Sequence, residues 1–427
     1  MDVHATAGIR TRCAEHLGLC DAKQRWALAD SSLLQAIAAD QPVVRGMRGR
    51  RLQGILAWAD RMSLVGPALL VVGFFDLIVK LRQQRARPCT NERLSRLFVG
   101  FGAGAEEVLF SRYREQSQRP VARVNQVDIA SMGRVYRVGA REAIRNLWAA
   151  CRTILLTVRQ LPDALSNRRI DFLTHGGLRL GGYSYMRAWF EGVRDQCDPD
   201  AEVCFLAADT PAFAAADAGL RTRYLQHGFV RRSLLLPEFD SIDALTDDEA
   251  RHFARALAGL QVSVARPERC DVSELTHEIL VASVYELPKE MRRISPVLEW
   301  ARSCGWRVRV RPHPREDRAF WSHGVDRTMV QIEDADPSFE DALRRLRPRI
   351  VVSWYSTALA EALNRGIVPV TVSDESTPAI ADMVYPLMDR ALQWPRDQAR
   401  IAELMRDDAV YCATLQSLSG EASRSRT

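Results

Sequence analysis

Lysine is nearly missing from this 427-residue chain: it occurs only as Lys23, Lys80 and Lys289, and every other basic position is arginine. With alanine abundant, that bias reads as a compositional habit rather than a binding device, so the formal charge of +6 does not by itself imply an acidic partner. No basic stripe interleaved with aromatics occurs, which argues against nucleic acid as a general partner. The nine cysteines form no C-x-x-C pair and have no histidine at ligand spacing. A zinc site and a disulfide frame are thereby set aside, and reduced thiols in a cytoplasmic protein are expected. There is no G-K-[ST] phosphate loop, no G-x-S-x-G elbow and no G-x-G-x-x-G dinucleotide fingerprint; the glycines 100, 102 and 104 have the wrong spacing. Asp334 and Asp336 have the spacing of a metal-binding pair but no further ligands, and neither a metal nor a cofactor is expected. No apolar core follows an early basic run, so no secretory signal is expected. The longest unbroken apolar run, 64–75, is shorter than the roughly 20 residues that span a bilayer. Its arginine-rich flanks suit either a buried helix or an interfacial segment, 62–87, resting on anionic headgroups at the inner face of the plasma membrane.

What is present is a series of short apolar runs alternating with helical periodicity. Strands are expected at 97–101, 121–124, 170–173, 203–207 and 223–225, then at 278–283, 306–310, 328–332, 349–352 and 367–372. Helices are expected at 105–113, 138–161, 185–196, 289–303, 338–346 and 357–364. This alternation predicts two doubly wound parallel sheets in series, with ligand held at the carboxyl ends of the strands in a cleft between them. The expected divisions are a helical N-terminal extension at 1–90, an acceptor domain at 91–255, a nucleotide-donor domain at 256–395, and a helix with a polar tail at 396–427. A linker is expected within 237–267, around the acidic cluster 240–249.

Two motifs close consecutive strands of the second series. Arg311, Pro312, His313, Pro314 and Arg315 follow the first, and the prolines restrict the backbone on both sides of the imidazole. Ser353, Trp354, Tyr355, Ser356 and Thr357 follow the second and open a helix whose free N–H groups and positive dipole end favour an anion. The hydroxyls of Ser353, Ser356 and Thr357 either donate to a phosphate or only cap the helix. Glu361, one turn on, is placed for ribose hydroxyls or for the helix start, and Ser283, ending a neighbouring strand, is a further candidate for binding the nucleotide phosphate. In the first series His227, before Gly228, has the pKa range of a general base, with His175 (before Gly176) and Glu107 (beside Glu106) as alternatives.

The set Gln226, His227, Gly228, then Arg311 to Pro314, then Ser356 to Leu363 followed by Gly366 and Pro369, resembles bacterial surface and capsular polysaccharide transferases of the GT-B fold. That group spans sialyltransferase-like enzymes and the polyol-phosphate transferases of teichoic-acid synthesis. The resemblance covers 220–375 well, 95–220 loosely and 1–90 hardly at all. It implies two Rossmann-type domains in the GT-B manner. It also implies transfer, metal-independent and inverting, from a CMP- or UDP-activated sugar to a polysaccharide or lipid-linked acceptor. On this resemblance His313, Ser356 and Thr357 would hold the nucleotide phosphate and His227 would act as base; Arg311 or Arg315, read from its place beside His313, would add bidentate charge. Two positions depart from the group: Trp354 stands where the polyol-phosphate enzymes carry an aspartate, and Val108 follows Glu106 and Glu107 where sialyltransferases carry glycine. A CDP-polyol donor attacked at phosphorus, and a non-catalytic assembly protein that kept the fold, are the alternative readings.

Overall fold

A computed structural model of the chain describes residues 26, 47–84, 94–100, 106–115, 121–161, 163–232, 234–257, 259–264, 266–284, 287–313, 316, 321, 330–333, 338–372 and 383–419. By packing, the chain divides into two units. The first is Met1–Gln226 with Arg231–Asp243 and His252–Ser263; the second is His227–Val230, Ala244–Arg251 and Val264–Thr427.

The first unit carries strands β1 (Leu94–Gly100), β2 (Val121–Asn125), β3 (Cys197–Phe205), β4 (Arg221–Leu225), β5 (Ser241–Ala244) and β6 (Gln261–Val264). They lie in the order β2-β1-β3-β4-β5-β6. The pairs β1 with β2 and β3, β3 with β4, and β4 with β5 are parallel. Its described helices are α1 (Met47–Arg61), α2 (Val65–Gln83), α3 (Glu106–Glu115), α4 (Ile129–Val135), α5 (Ala140–Arg159), α6 (Asp163–Ser166), α7 (Arg169–Arg194), α8 (Thr210–Asp217) and α9 (Asp247–Ala256), the last shared by both units.

The second unit carries β7 (Thr276–Ala282), β8 (Arg307–Arg311), β9 (Val330–Ile332), β10 (Pro348–Ser353), β11 (Val368–Val372) and β12 (Leu392–Trp394) in the order β12-β11-β10-β7-β8-β9, all parallel. Around them stand α10 (Leu287–Ser303), α11 (Phe339–Leu346), α12 (Thr357–Asn364), α13 (Leu387–Arg390), α14 (Gln398–Leu404) and α15 (Asp408–Ser419). The expected class, two Rossmann-type doubly wound α/β units, is the one observed. β10 is buried along its whole length, as a strand covered by helices on both faces must be, and its residues read as a continuous apolar run. Gly366, at φ +79°, takes the left-handed position after α12 where glycine is preferred.

Two expectations are corrected. Residues 170–173 are not a strand: they open α7, a 26-residue helix. The glycines of α7 at 177 and 181 are where helices approach closely. A Cβ at Gly177 would meet Leu69 at 2.9 Å, and one at Gly181 would meet the carbonyl oxygen of Gly73 at 2.7 Å. Residues 237–267 are not a linker, because they contain β5, α9 and β6. Three of the acids there hold specific partners. Asp240 accepts from the Thr222 N–H at 2.7 Å, Asp243 pairs with Arg223 at 2.6 Å, and Glu249 accepts from the Val230 N–H at 2.9 Å. α1 and α2, from the helical 1–90 region, pack on α7 and belong to the first unit.

Candidate functional site

In the second unit the chain runs outward from β7 to β8 and β9, then returns to the other side of β7 with β10. The direction of winding therefore reverses between β7 and β10, and in such sheets the crevice outside the carboxyl ends at that point takes ligand. Ser283 leaves β7 there, the turn beginning at Ser353 leaves β10, and the His313 turn leaves β8, the next strand beyond β7.

The His313 turn is built around Glu316. The Glu316 N–H donates to the His313 carbonyl at 2.9 Å, and the carboxylate reaches back. Its Oε2 accepts from the His313 N–H at 2.8 Å and from Trp321 Nε1 at 3.0 Å, while Oε1 accepts from Ser283 Oγ at 2.6 Å. The Ser283 N–H also donates to the Arg311 carbonyl at 3.1 Å. One buried carboxylate thus ties the end of β7 to the backbone that carries the imidazole and leaves that ring half-buried. Sequence reasoning missed Glu316; its one signal was an acid three residues after a histidine held between prolines.

The second turn is differently made. Ser353 is fully buried and its hydroxyl donates to the Ala282 carbonyl at 2.6 Å. It joins β10 to β7 and is not presented to a ligand. Tyr355 sits at φ +49°, an uncommon left-handed setting for an aromatic residue. Arg293 covers the Trp354 ring at 3.6 Å from its centroid. Ser356 caps α12, its Oγ accepting from the Ala358 N–H at 3.2 Å, which leaves its own proton able to donate outward. Ser356, Thr357 and Glu361 are all half-buried.

The remaining expected site residues fall into three groups. His227 belongs with the second unit: two residues on, Phe229 stacks on Tyr385 at 5.2 Å and lies 6.3 Å from the Tyr355 ring, and the Val230 carbonyl accepts from the Val384 N–H. The structure therefore brings the His227 segment to the Ser356 turn. Arg311 is buried, with its guanidinium 5.9 Å from the centroid of the Phe339 ring. His175 is not at a strand end. It is buried within α7, because the glycines beside it serve helix packing. Glu106 is buried in an ion pair with Arg123 at 2.9 Å. Arg315, the glycines at 102 and 104, Asp334, Asp336 and the side chain of Glu107 lie outside the described residues.

The first unit reverses its winding between β1 and β3, and there the structure offers a group that the sequence did not single out. Asp209 precedes α8 at the carboxyl end of β3. Its Oδ2 accepts from Gln126 Nε2 at 2.7 Å, while Oδ1 is buried without a partner. Burial pushes its pKa up to about 6, against the pull of Gln126 and Arg179. A carboxylate so placed is equipped to take a proton from a hydroxyl. Since folding raises this pKa, the proton is held more tightly in the native state. The resulting stabilisation is complete below the ordinary carboxylate range and is lost as pH rises through about 6. Asp209→Asn is therefore expected to stabilise the protein by up to about 3 kcal/mol near pH 8 and to be neutral near pH 4. Urea unfolding at both pH values checks this; an equal effect at both would deny the buried charge.

No protein-family model matches the chain, and no curated protein does. Among solved structures it is similar to a UDP co-structure of S. aureus MnaA, at 12% identity over 76% of this chain and 91% of that one, with a TM-score of 0.40. It is similar to UDP-GlcNAc 2-epimerase from Neisseria meningitidis bound to UDP-GlcNAc at 11% identity, covering 74% and 93%, with a TM-score of 0.41. It is also similar to the Streptomyces sp. SF2575 glycosyltransferase SsfS6 complexed with thymidine diphosphate, at 11% identity, covering 77% and 96%, with a TM-score of 0.42. These likenesses are distant, and the fold stands on the two sheets themselves.

Proposed function

We propose that the protein is a glycosyltransferase that takes a sugar from a CMP- or UDP-type donor and passes it to a hydroxyl of a surface or capsular polysaccharide or a lipid-linked glycan. The observation that carries this reading is the carboxyl edge of the second sheet. Two motifs suited to an anion, a histidine fixed from below by Glu316 and a serine-capped helix start, flank the end of β7 at the point where the winding reverses. Their strands are two spacings apart, roughly 10 Å at the backbone. Side chains extending from both turns can close such a gap onto one phosphate group of a nucleotide. His313 donates to the departing phosphate, and Ser356, Thr357 and the N-terminal end of α12 share its charge. His227, carried on the segment that packs against Tyr355, takes the acceptor proton.

The first test is thermal unfolding with CMP, CDP, UDP, TDP and GDP. At a hundredfold excess over Kd, a nucleotide that binds only the native state adds about 2.7 kcal/mol, a shift of roughly 5–10 °C in the transition of the unit that binds it. No shift with any of the five would remove the basis for catalysis at this edge.

A further inference from the structure

Twelve of the fourteen large apolar side chains exposed among the described residues lie on α1, the turn after it, α2 and α5; the second unit contributes none. The three helices each pack on α7, and α2 lies against both others, so the faces they turn away from α7 form one surface. On α2 the buried stripe is Val65, Leu69, Gly73 and Leu77, and the opposite side presents Phe74 and Phe75, 42% and 66% exposed. Trp58 on α1 and Trp148 on α5 stand 59% and 63% exposed to either side of it. Monomeric proteins rarely leave so many large apolar side chains together in water without a partner for them.

The charge around these residues is mainly positive. Exposed arginines lie on all three helices, among them Arg51, Arg61, Arg82, Arg152 and Arg159. The three acids in these helices are fewer than the arginines and lie beside cations or are half-buried: Asp60 pairs with Arg169, Asp76, with its side chain 40% exposed, faces Lys80, and Glu142 is half-buried. No helix among the described residues is long and apolar enough to cross a membrane. A broad apolar face bordered by tryptophan and arginine, with few acids, matches the boundary between acyl chains and anionic headgroups.

We propose that the outer face of α1, α2 and α5 is a docking surface for an anionic lipid bilayer. Phe74 and Phe75 enter the acyl boundary, the two tryptophans sit at headgroup depth, and the arginines meet lipid phosphates. This surface is independent of the nucleotide edge, so its test does not depend on catalysis. The full chain is floated with phosphatidylcholine vesicles, with and without phosphatidylglycerol, at low and high salt. Binding is expected only with phosphatidylglycerol and is expected to weaken as salt rises. Phe74→Ser with Phe75→Ser should lower partitioning by at least about tenfold. Arg152→Ala with Arg159→Ala alters only exposed side chains and should lower it by roughly 25-fold, at about fivefold for each arginine. Absence of flotation, equal binding to neutral vesicles, or a stable dimer that the phenylalanine pair dissociates would each overturn the proposal, the last by giving the face to a second copy of the chain.

Discussion

His313→Ala is expected to lower kcat for sugar transfer by about 10²–10³-fold while leaving the fold intact. The magnitude is that of removing one preorganised donor from a site where negative charge develops in the transition state, about 2.7–4 kcal/mol. Donor affinity should fall much less, because hydroxyls and helix dipole still hold the phosphate in the ground state. The variant should fold because the turn does not depend on the imidazole. The Glu316 carboxylate is bonded to the His313 backbone N–H, to Trp321 and to Ser283, and none of those bonds involves the ring. Steady-state kinetics at saturating donor, beside nucleotide thermal shifts on the same preparation, separates the two effects. A kcat within threefold of the parent would take the histidine out of the chemistry. Loss of nucleotide binding with an unchanged unfolding transition would instead make it a ground-state anchor.

The parts of this site that were legible were those whose local chemistry agrees with their place in the fold. The helix at 357–364 was read at its observed bounds because Ser356 is a preferred N-cap and Gly366 a preferred left-handed stop, and both do those jobs. β10 was read within one residue at each end because a strand buried on both faces is a plain apolar run. What stayed hidden depends on partners distant in sequence. Ser353 resembles the other hydroxyls of its turn, and only pairing with β7 shows that its proton goes to Ala282. Glu316 and Asp209 carry no periodicity, so their importance appears only as a bonded carboxylate under one turn and a partnerless buried oxygen at another. The glycines of α7 misled for the opposite reason. Their local meaning is a turn, but the missing side chains make room for Leu69 and Gly73 of α2. His227 was placed in the first series by its strand, β4, yet its segment packs with the second unit through Phe229, a contact no spacing rule encodes.

Arg349→Ala is expected to destabilise the second unit by about 3–5 kcal/mol, lowering its unfolding temperature by roughly 6–20 °C. Arg349 lies near the start of β10 and is 1% exposed. Its Nε donates to the Leu404 carbonyl at 2.5 Å, its Nη2 to Asp408 at 2.5 Å, and its guanidinium lies 4.8 Å from the centroid of the Tyr411 ring. Tyr411 is bound into the same knot. Its hydroxyl donates to the Arg349 carbonyl at 2.9 Å and accepts from the Val368 N–H at 3.0 Å, and burial raises its pKa so that it keeps its proton. Truncation to alanine leaves the Leu404 carbonyl unpartnered and a void beneath α15, each a costly defect in a buried region. The ion pair itself carries little of this, since Asp408 is 69% exposed and water screens it. Asp408→Asn should therefore cost no more than about 1 kcal/mol, and Arg349→Met, which refills the volume without the charge, should recover part of the loss. Calorimetry on the three variants distinguishes the cases. If Asp408→Asn destabilises as strongly as Arg349→Ala, the strand is held by a salt bridge rather than by a buried donor. β10 runs from this knot to the turn that carries Ser356, so a loosened base should also blunt the nucleotide thermal shift without any change to the side chains proposed to touch the nucleotide.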